Sequence, residues 1–269
     1  MPTRYVRIQG VATHLRHTGP TTLPERPPRL ERGDPIVCLH GAGGNLGVFD
    51  GLFDALEAEH SLVAFDQPAH GRSGGLDSLG SIEALAEFTA ELLDALAIPR
   101  ALLLGHSMGG AIAQELALAQ PERVRALVLC ATAARFEGLE RVIETARRVV
   151  AGVERRSFVR ELYAPDAKPE LLQRGFLEDL KTDPRALLGD CEALRDWRGG
   201  AQSGRIRVPT LVVYGEHEFA QIRDAASELA AAIPGARKLV IPGAGHKLTL
   251  EQPAALAAGL RDFAAALPA

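Results

Sequence analysis

Short apolar runs alternate with longer amphipathic stretches through the middle of the chain. Pro35–Leu39, Ser61–Phe65, Ala101–Leu104, Arg125–Cys130, Thr210–Tyr214 and Lys238–Ile241 are each a few residues long and dominated by aliphatic side chains. Runs of that form predict strands buried on both faces. Ile82, Leu85, Phe88, Leu92 and Leu96 recur near the helical period, which predicts an amphipathic helix over Ser81–Ala97. Ala111–Ala119 reads as another helix. Leu256, Leu260, Phe263 and Leu267 predict a further one, with Pro253 where a first-turn proline is tolerated. Strand–helix alternation of this kind means a parallel sheet with helices on both faces, an α/β fold.

Two regions break the alternation. Residues 3–19 alternate as an antiparallel pair does, and the Pro/Arg-rich stretch from Gly19 to Gly33 predicts an exposed loop. From Ala134 to Gly200 there is no strand signal, only helical patterns such as Leu139–Val153 and Pro169–Leu180. An insertion there, between two strands, would lie over one end of the sheet. Its arginines (Arg141, Arg147, Arg148, Arg155, Arg156) are interleaved with Glu140, Glu144 and Glu154, the pattern of a solvated helix face.

Composition narrows the functional classes. The 269 residues are 46% hydrophobic and 24% charged, enough for a large core and about one to two domains. With 30 basic and 34 acidic residues the net charge is -4, which leaves no electrostatic footprint for nucleic acid or an anionic membrane. No apolar run approaches the ~20 residues of a spanning helix, and the first residues lack the apolar stretch of a signal peptide. Cys38, Cys130 and Cys191 fit neither a disulfide framework nor a zinc site. Cys38 and Cys130 sit in apolar runs, where a thiol is a small hydrophobe. A cytoplasmic protein acting on a small molecule is expected.

Gly105-His106-Ser107-Met108-Gly109-Gly110 carries the strongest chemical signal. Gly-x-Ser-x-Gly between a strand and a helix forms a nucleophile elbow: the turn is so sharp that its flanking residues must lack bulk. The serine then stands exposed near a helix N-terminus, where developing negative charge is favoured. A serine hydroxyl needs a base. His246, in Pro242-Gly243-Ala244-Gly245-His246, lies on a glycine-rich loop after the last predicted strand. His217 is a weaker rival, whereas His14, His17 and His60 read as surface positions. A base needs an orienting acceptor. Glu218, on the loop Gly215-Glu216-His217-Glu218, is the leading choice, with Glu216 and Asp224 as alternatives. The chain order Ser107, Glu218, His246 is that of one hydrolase class.

Together with His40-Gly41-Ala42-Gly43-Gly44 and Asp66-Gln67-Pro68-Ala69-His70-Gly71-Arg72-Ser73, these motifs resemble the α/β-hydrolase superfamily over nearly the whole chain. The resemblance implies a mostly parallel eight-stranded sheet flanked by helices. The core would comprise residues 1–133 and 201–269, and residues 134–200 an all-helical cap. It implies that the backbone N–H groups of Ala42 and Met108 form an oxyanion hole. His40 and Gly41 would border the substrate, as would His106, whose ring is turned from the serine. Phe136, Phe158, Tyr163, Phe176 and Trp197 would line an apolar pocket or pack the cap. Lys247 would steer an acidic substrate or face solvent. The chain departs from the family at the acid: relatives usually carry aspartate and a proline-containing segment, where this one has Glu218 followed by Phe-Ala-Gln-Ile. The extra methylene would set the loop back or shift the ring.

The expected activity is hydrolysis of small, mainly uncharged carboxylic esters through an acyl-enzyme. Water is the co-substrate, and no cofactor or metal is needed. A C–C bond hydrolase, lactonase, thioesterase or perhydrolase would use the same residues, and a non-catalytic binding protein is the reading from another class.

Overall fold

A computed structural model describes residues 2–23 and 25–268 of the chain. Eight strands among them form one sheet: β1 (Thr3–Ile8), β2 (Val11–His17), β3 (Ile36–Leu39), β4 (Leu62–Phe65), β5 (Ala101–His106), β6 (Val124–Cys130), β7 (Thr210–Gly215) and β8 (Arg237–Ile241). Their spatial order is β1-β2-β4-β3-β5-β6-β7-β8. The pairs β1–β2 and β2–β4 are antiparallel and all later pairs are parallel. This is the mostly parallel sheet of an α/β-hydrolase fold.

Helices α1 (Asp50–Leu56), α2 (Ile82–Ala95) and α3 (Met108–Ala119) follow β3, β4 and β5. Between β6 and β7 come α4 (Glu140–Val150), α5 (Pro169–Asp179) and α6 (Pro184–Asp196), with no strand among the described residues. Helix α7 (Ala220–Ala232) joins β7 to β8, and α8 (Leu248–Glu251) and α9 (Pro253–Ala265) follow. Ser81 caps α2, its side chain accepting from Ala84 N–H at 3.1 Å. The apolar pattern alone did not single out α6. Asp183 caps it, accepting from Arg185 N–H, and Pro184 fills its first turn.

Alternation along the central strands divides the core in two. Val37, Leu39, Val63, Leu103 and Leu127 point to the face covered by α2 and α3. Ile36, Cys38, Leu62, Leu104 and Val128 point to the face covered by α1 and α9. Each such aliphatic side chain contributes about 1.5–3 kcal/mol on burial. Burial pushes the thiols of Cys38 and Cys130 far up, which keeps them inert apolar filler.

Three positions differ from expectation. β8 is not buried on both faces: it ends the sheet, and Arg237, Lys238 and Val240 are exposed. Basic residues at such an edge discourage pairing with another chain. His14 and His17 are buried, because β2 lies between β1 and β4 instead of at the sheet's edge.

The tightest packing falls where β5 meets α3. A Cβ on Gly109 would collide with the backbone of Leu39, one on Gly105 with the backbone of Gly109, and one on Gly110 with the Thr132 side chain. Alanine at Gly109 would gain up to about 1 kcal/mol of helix propensity. The clash with β3 outweighs that gain. Gly109→Ala should unfold at lower denaturant than Gly152→Ala by a margin of about 2 kcal/mol or more, since Gly152 has open space around it and only a positive φ to satisfy. Equal midpoints in urea titrations would show that the turn relaxes.

Candidate active site

Ser107 occupies the turn between β5 and α3 with φ 53° and ψ -115°, a conformation that costs a non-glycine residue roughly 1–3 kcal/mol. The surrounding bonds hold it there. Its N–H donates to Cys130 O at 2.8 Å, and its carbonyl accepts from Thr132 Oγ1 at 2.7 Å and Gly110 N–H at 2.9 Å. Met108 begins α3, so its N–H is one of those a helix leaves without an intrahelical acceptor.

Ser107 and His246 line one cavity of about 610 Å³. The His246 ring presents Nδ1 to Glu218, 3.0 Å from Oε1 and 3.2 Å from Oε2. A carboxylate only accepts, so the proton of this contact sits on Nδ1, and Nε2 is left as an acceptor. The Glu218 side chain is fully buried, and its Oε1 also accepts from Phe219 N–H at 3.0 Å. The longer side chain therefore folds back over its own loop.

That loop is stitched to the histidine loop by backbone bonds from Glu216 N–H to Ile241 O and from His217 N–H to Ala244 O. The alternatives for the acid lie elsewhere. Glu216 accepts from Gly243 N–H at 3.0 Å, and Asp224 is exposed beside Arg223. His217 is exposed.

His106 points its Nε2 at the backbone carbonyl of His246, 2.7 Å away, so that nitrogen carries the proton. Burial and the neighbouring His246 hold the ring well below the ordinary histidine range. His106 thus braces the loop bearing His246 while bordering the cavity.

Opposite Ser107 runs the loop after β3. Gly41 and Ala42 border the cavity, but His40 does not. The expectation that His40 contacts substrate is corrected by its full burial: its Nε2 accepts from Gln67 N–H at 3.0 Å, and its Nδ1 faces Gly41 O at 2.9 Å. An acceptor at Nε2 requires the proton on Nδ1, so His40 is neutral. Burial, reinforced by the charge on His70, pushes it down to about 4. Gly41 O also accepts from Gly44 N–H at 3.0 Å. The Gly41–Ala42 peptide is trans, so a carbonyl held on that side turns the Ala42 N–H to the other. Among the described residues no protein acceptor takes that N–H.

Behind this loop lies a pair to which motif reading gave no role, although His70 stands within the Asp66–Ser73 motif. Asp190 of α6 and His70 of the loop after β4 are fully buried, with His70 Nε2 2.8 Å from Asp190 Oδ2. His70 Nδ1 faces Pro68 O at 2.9 Å. Both partners only accept, so both ring nitrogens carry protons and His70 is a cation. Burial alone would lower its pKa, but the Asp190 charge and hydrogen bond reverse that and raise it. Asp190 is held below the usual carboxylate range: burial opposes this, and the charge of His70 with the bonds from His70, Ser78 and Gly43 outweighs it. Asp190 sits among ordinary charged residues of a helix, and nothing in its sequence surroundings distinguishes it.

The remaining cavity wall is mostly apolar, from Phe136, Leu139, Val142, Leu162, Leu187, Leu194, Phe219 and Ile222. Of the aromatic residues expected there from the 134–200 segment, only Phe136 reaches it. Trp197 is buried, donating from Nε1 to Glu115 at 2.9 Å, and Phe158 stacks on Tyr163. Lys247 borders the cavity, but its Nζ donates to Asp179 Oδ1 of α5 at 3.0 Å. Among the described residues no group of three or more His, Cys, Asp or Glu side chains is arranged to hold a metal, and no helix is long and apolar enough to cross a membrane.

Residues 34–253 match the family described as alpha/beta hydrolase fold, and the chain belongs to that family. It is 35% identical over 227 residues to the dihydrolipoyllysine-residue acetyltransferase component of the acetoin cleaving system of Pseudomonas putida, covering 82% of this chain but 60% of that protein. It is 30% identical to the pimeloyl-[acyl-carrier protein] methyl ester esterase of Yersinia pseudotuberculosis, covering 85% of this chain and 92% of that one. The enol-lactonase from Burkholderia xenovorans LB400 superposes with a TM-score of 0.82 at 27% identity, covering 96% and 98% of the two chains.

The histidine assignments are checked by long-range proton–nitrogen NMR. His40 should show the Nδ1–H neutral form at neutral pH and gain a second proton only near pH 4. His70 should show protons on both nitrogens and lose one only above the ordinary histidine range. A His40 that titrates like a free histidine would contradict its acceptor bond from Gln67.

Proposed function

We propose that this protein hydrolyses carboxylic esters of small, mainly uncharged substrates through an acyl-enzyme. The observation that carries the reading is a serine held at a strained helix N-terminus, sharing an apolar cavity with a histidine whose Nδ1 is taken by a buried carboxylate. Ser107 Oγ attacks the ester carbonyl while its proton passes to His246 Nε2. Negative charge moves to the carbonyl oxygen, where the N–H groups of Ala42 and Met108 receive it. Collapse of that intermediate breaks the bond to the alcohol, which departs with the proton from His246. Water then attacks the acyl-serine, gives its proton to His246, and the acid is released as Ser107 recovers its own. Glu218 keeps the imidazole in the required tautomer and stabilises its cation.

The helical segment 134–200 acts as a cap that supplies much of the apolar wall and excludes water. A cavity of about 610 Å³ suits a small organic ester. Its one acidic lining residue, Glu137, pairs with Arg135, and its one lysine is engaged by Asp179, which favours uncharged substrates. The likeness to an enol-lactonase supports a second reading, since a lactone is an internal ester opened by the same residues.

Release of p-nitrophenol from acetate and butyrate esters tests the assignment. Ser107→Ala and His246→Ala should each lower kcat by a factor on the order of 10⁴ or more, and Glu218→Gln by about 10²–10⁴. A Ser107→Ala protein that matches the native rate would sink it. A lactone panel run beside the esters ranks the two substrate classes by kcat/KM.

A further inference from the structure

The loop after β3 is held in place from the side of the helical segment. At three successive residues it bonds to that segment: Gly43 N–H donates to Asp190 Oδ2 at 2.9 Å, Gly44 O accepts from Thr182 Oγ1 at 2.8 Å, and Asn45 Nδ2 donates to Glu178 O at 2.9 Å. Leu187, one turn before Asp190, packs where a side chain on Gly43 would stand. Asp190 is the centre of this contact. Besides Gly43, its carboxylate receives His70 Nε2 at 2.8 Å and Ser78 Oγ at 2.6 Å, so a single buried group from α6 collects three donors, all from outside the helical segment. A neutral acceptor there would leave the buried His70 cation without a counter-charge, at a cost that buried charges do not escape.

From this placement we propose that Asp190 is a positioning residue of the reaction. Through Gly43 it sets the orientation of the adjacent Ala42 peptide, so that the Ala42 N–H faces the developing oxyanion only while the helical segment is seated on the core. The inference rests on the assignment of Ala42 as an oxyanion donor. His40 and Asp190 divide the work. His40 holds the Gly41 carbonyl from within the core, and Asp190 holds the next peptide, Ala42–Gly43, from outside it. With its own carbonyl held on one side and the following peptide held on the other, the Gly41–Ala42 peptide is kept from rotating, which is the preorganisation that oxyanion stabilisation depends on.

A purely structural staple would affect stability alone, whereas a positioning role acts on the transition state. The test is p-nitrophenyl butyrate hydrolysis by the wild-type, Asp190→Ala and Asp190→Asn proteins, with inhibition by a trifluoromethyl ketone, which forms a tetrahedral oxyanion adduct on serine. Asp190→Ala should lower kcat by about 10–100-fold, a little less than deletion of a donor, while KM changes by less than about threefold. Ketone inhibition should weaken by the same factor as kcat. Asp190→Asn keeps the shape, with a loss of stability from the uncompensated His70, but offers one neutral oxygen where the carboxylate offered two, and should lower kcat by about 3–10-fold. If the alanine variant does not fold, the asparagine variant decides. Wild-type kcat in a folded variant, or a loss confined to KM, overturns the proposal, as does a kcat loss without weaker ketone inhibition. If the wild-type protein releases no p-nitrophenol at all, the ester hydrolase reading itself fails and takes this inference with it.

Discussion

The turn that presents Ser107 is the constraint on which the rest of the site depends. A residue with a side chain is held at positive φ, and the cost of roughly 1–3 kcal/mol is offset by three backbone-anchored bonds from β6, Thr132 and α3. That conformation brings the start of α3 so close to β3 and β5 that only hydrogen fits at Gly105, Gly109 and Gly110. The same close approach sets the first N–H groups of α3 beside the end of β3. The loop leaving β3 therefore starts next to the serine, with a Cβ on Gly41 falling 3.0 Å from Ser107 Cβ. An exposed serine and the loop that faces it are thus consequences of one packing decision, taken at the centre of the sheet.

Charge behind that loop is ordered by the same logic of donors and acceptors. His40 and His70 lie with ring centres 4.9 Å apart, and two cations at that distance in a buried site would repel strongly. The backbone resolves the conflict. Gln67 N–H occupies one nitrogen of His40 and keeps it neutral, while Pro68 O and Asp190 take both nitrogens of His70 and keep it charged. Asp66 repeats the pattern next door, accepting from Leu46 N–H, Arg72 N–H and the His14 ring, and each acceptance fixes a different loop. The Asp66 carboxylate is met on both oxygens, whereas Nε2 of His14 and the side-chain amide of Gln67 are buried without a protein partner among the described residues.

Much of this was legible in the chain. Apolar runs and helical periods located the central strands and α2, because burial on both faces leaves a continuous aliphatic signature. The motifs and chain order singled out Ser107, Glu218 and His246, and Ser107 and His246 share one cavity with Glu218 on Nδ1 of the histidine. The apolar pattern of β8 concealed its place at the edge, since strand order is a property of the whole sheet. His14 looked like a surface residue for the same reason, as its partner Asp66 lies far along the chain. Asp190 and Thr182 left no local trace. Their roles come from the packing of α6 on the loop after β3, a contact between segments more than a hundred residues apart.

The departure at the acid now has a physical content. Glu218 reaches Nδ1 of His246 at 3.0 Å. The extra methylene lets the carboxylate curl back to its own Phe219 N–H, so one oxygen serves both the loop and the imidazole. Curling back brings the next residues into the site. Phe219 lies with its ring centre 6.0 Å from that of His246, and Phe219, Gln221 and Ile222 border the cavity as α7 begins. Glu218 and part of the cavity wall are therefore one structural unit, and a Glu218→Asp exchange would disturb both by drawing Phe219 away from the ring it packs against.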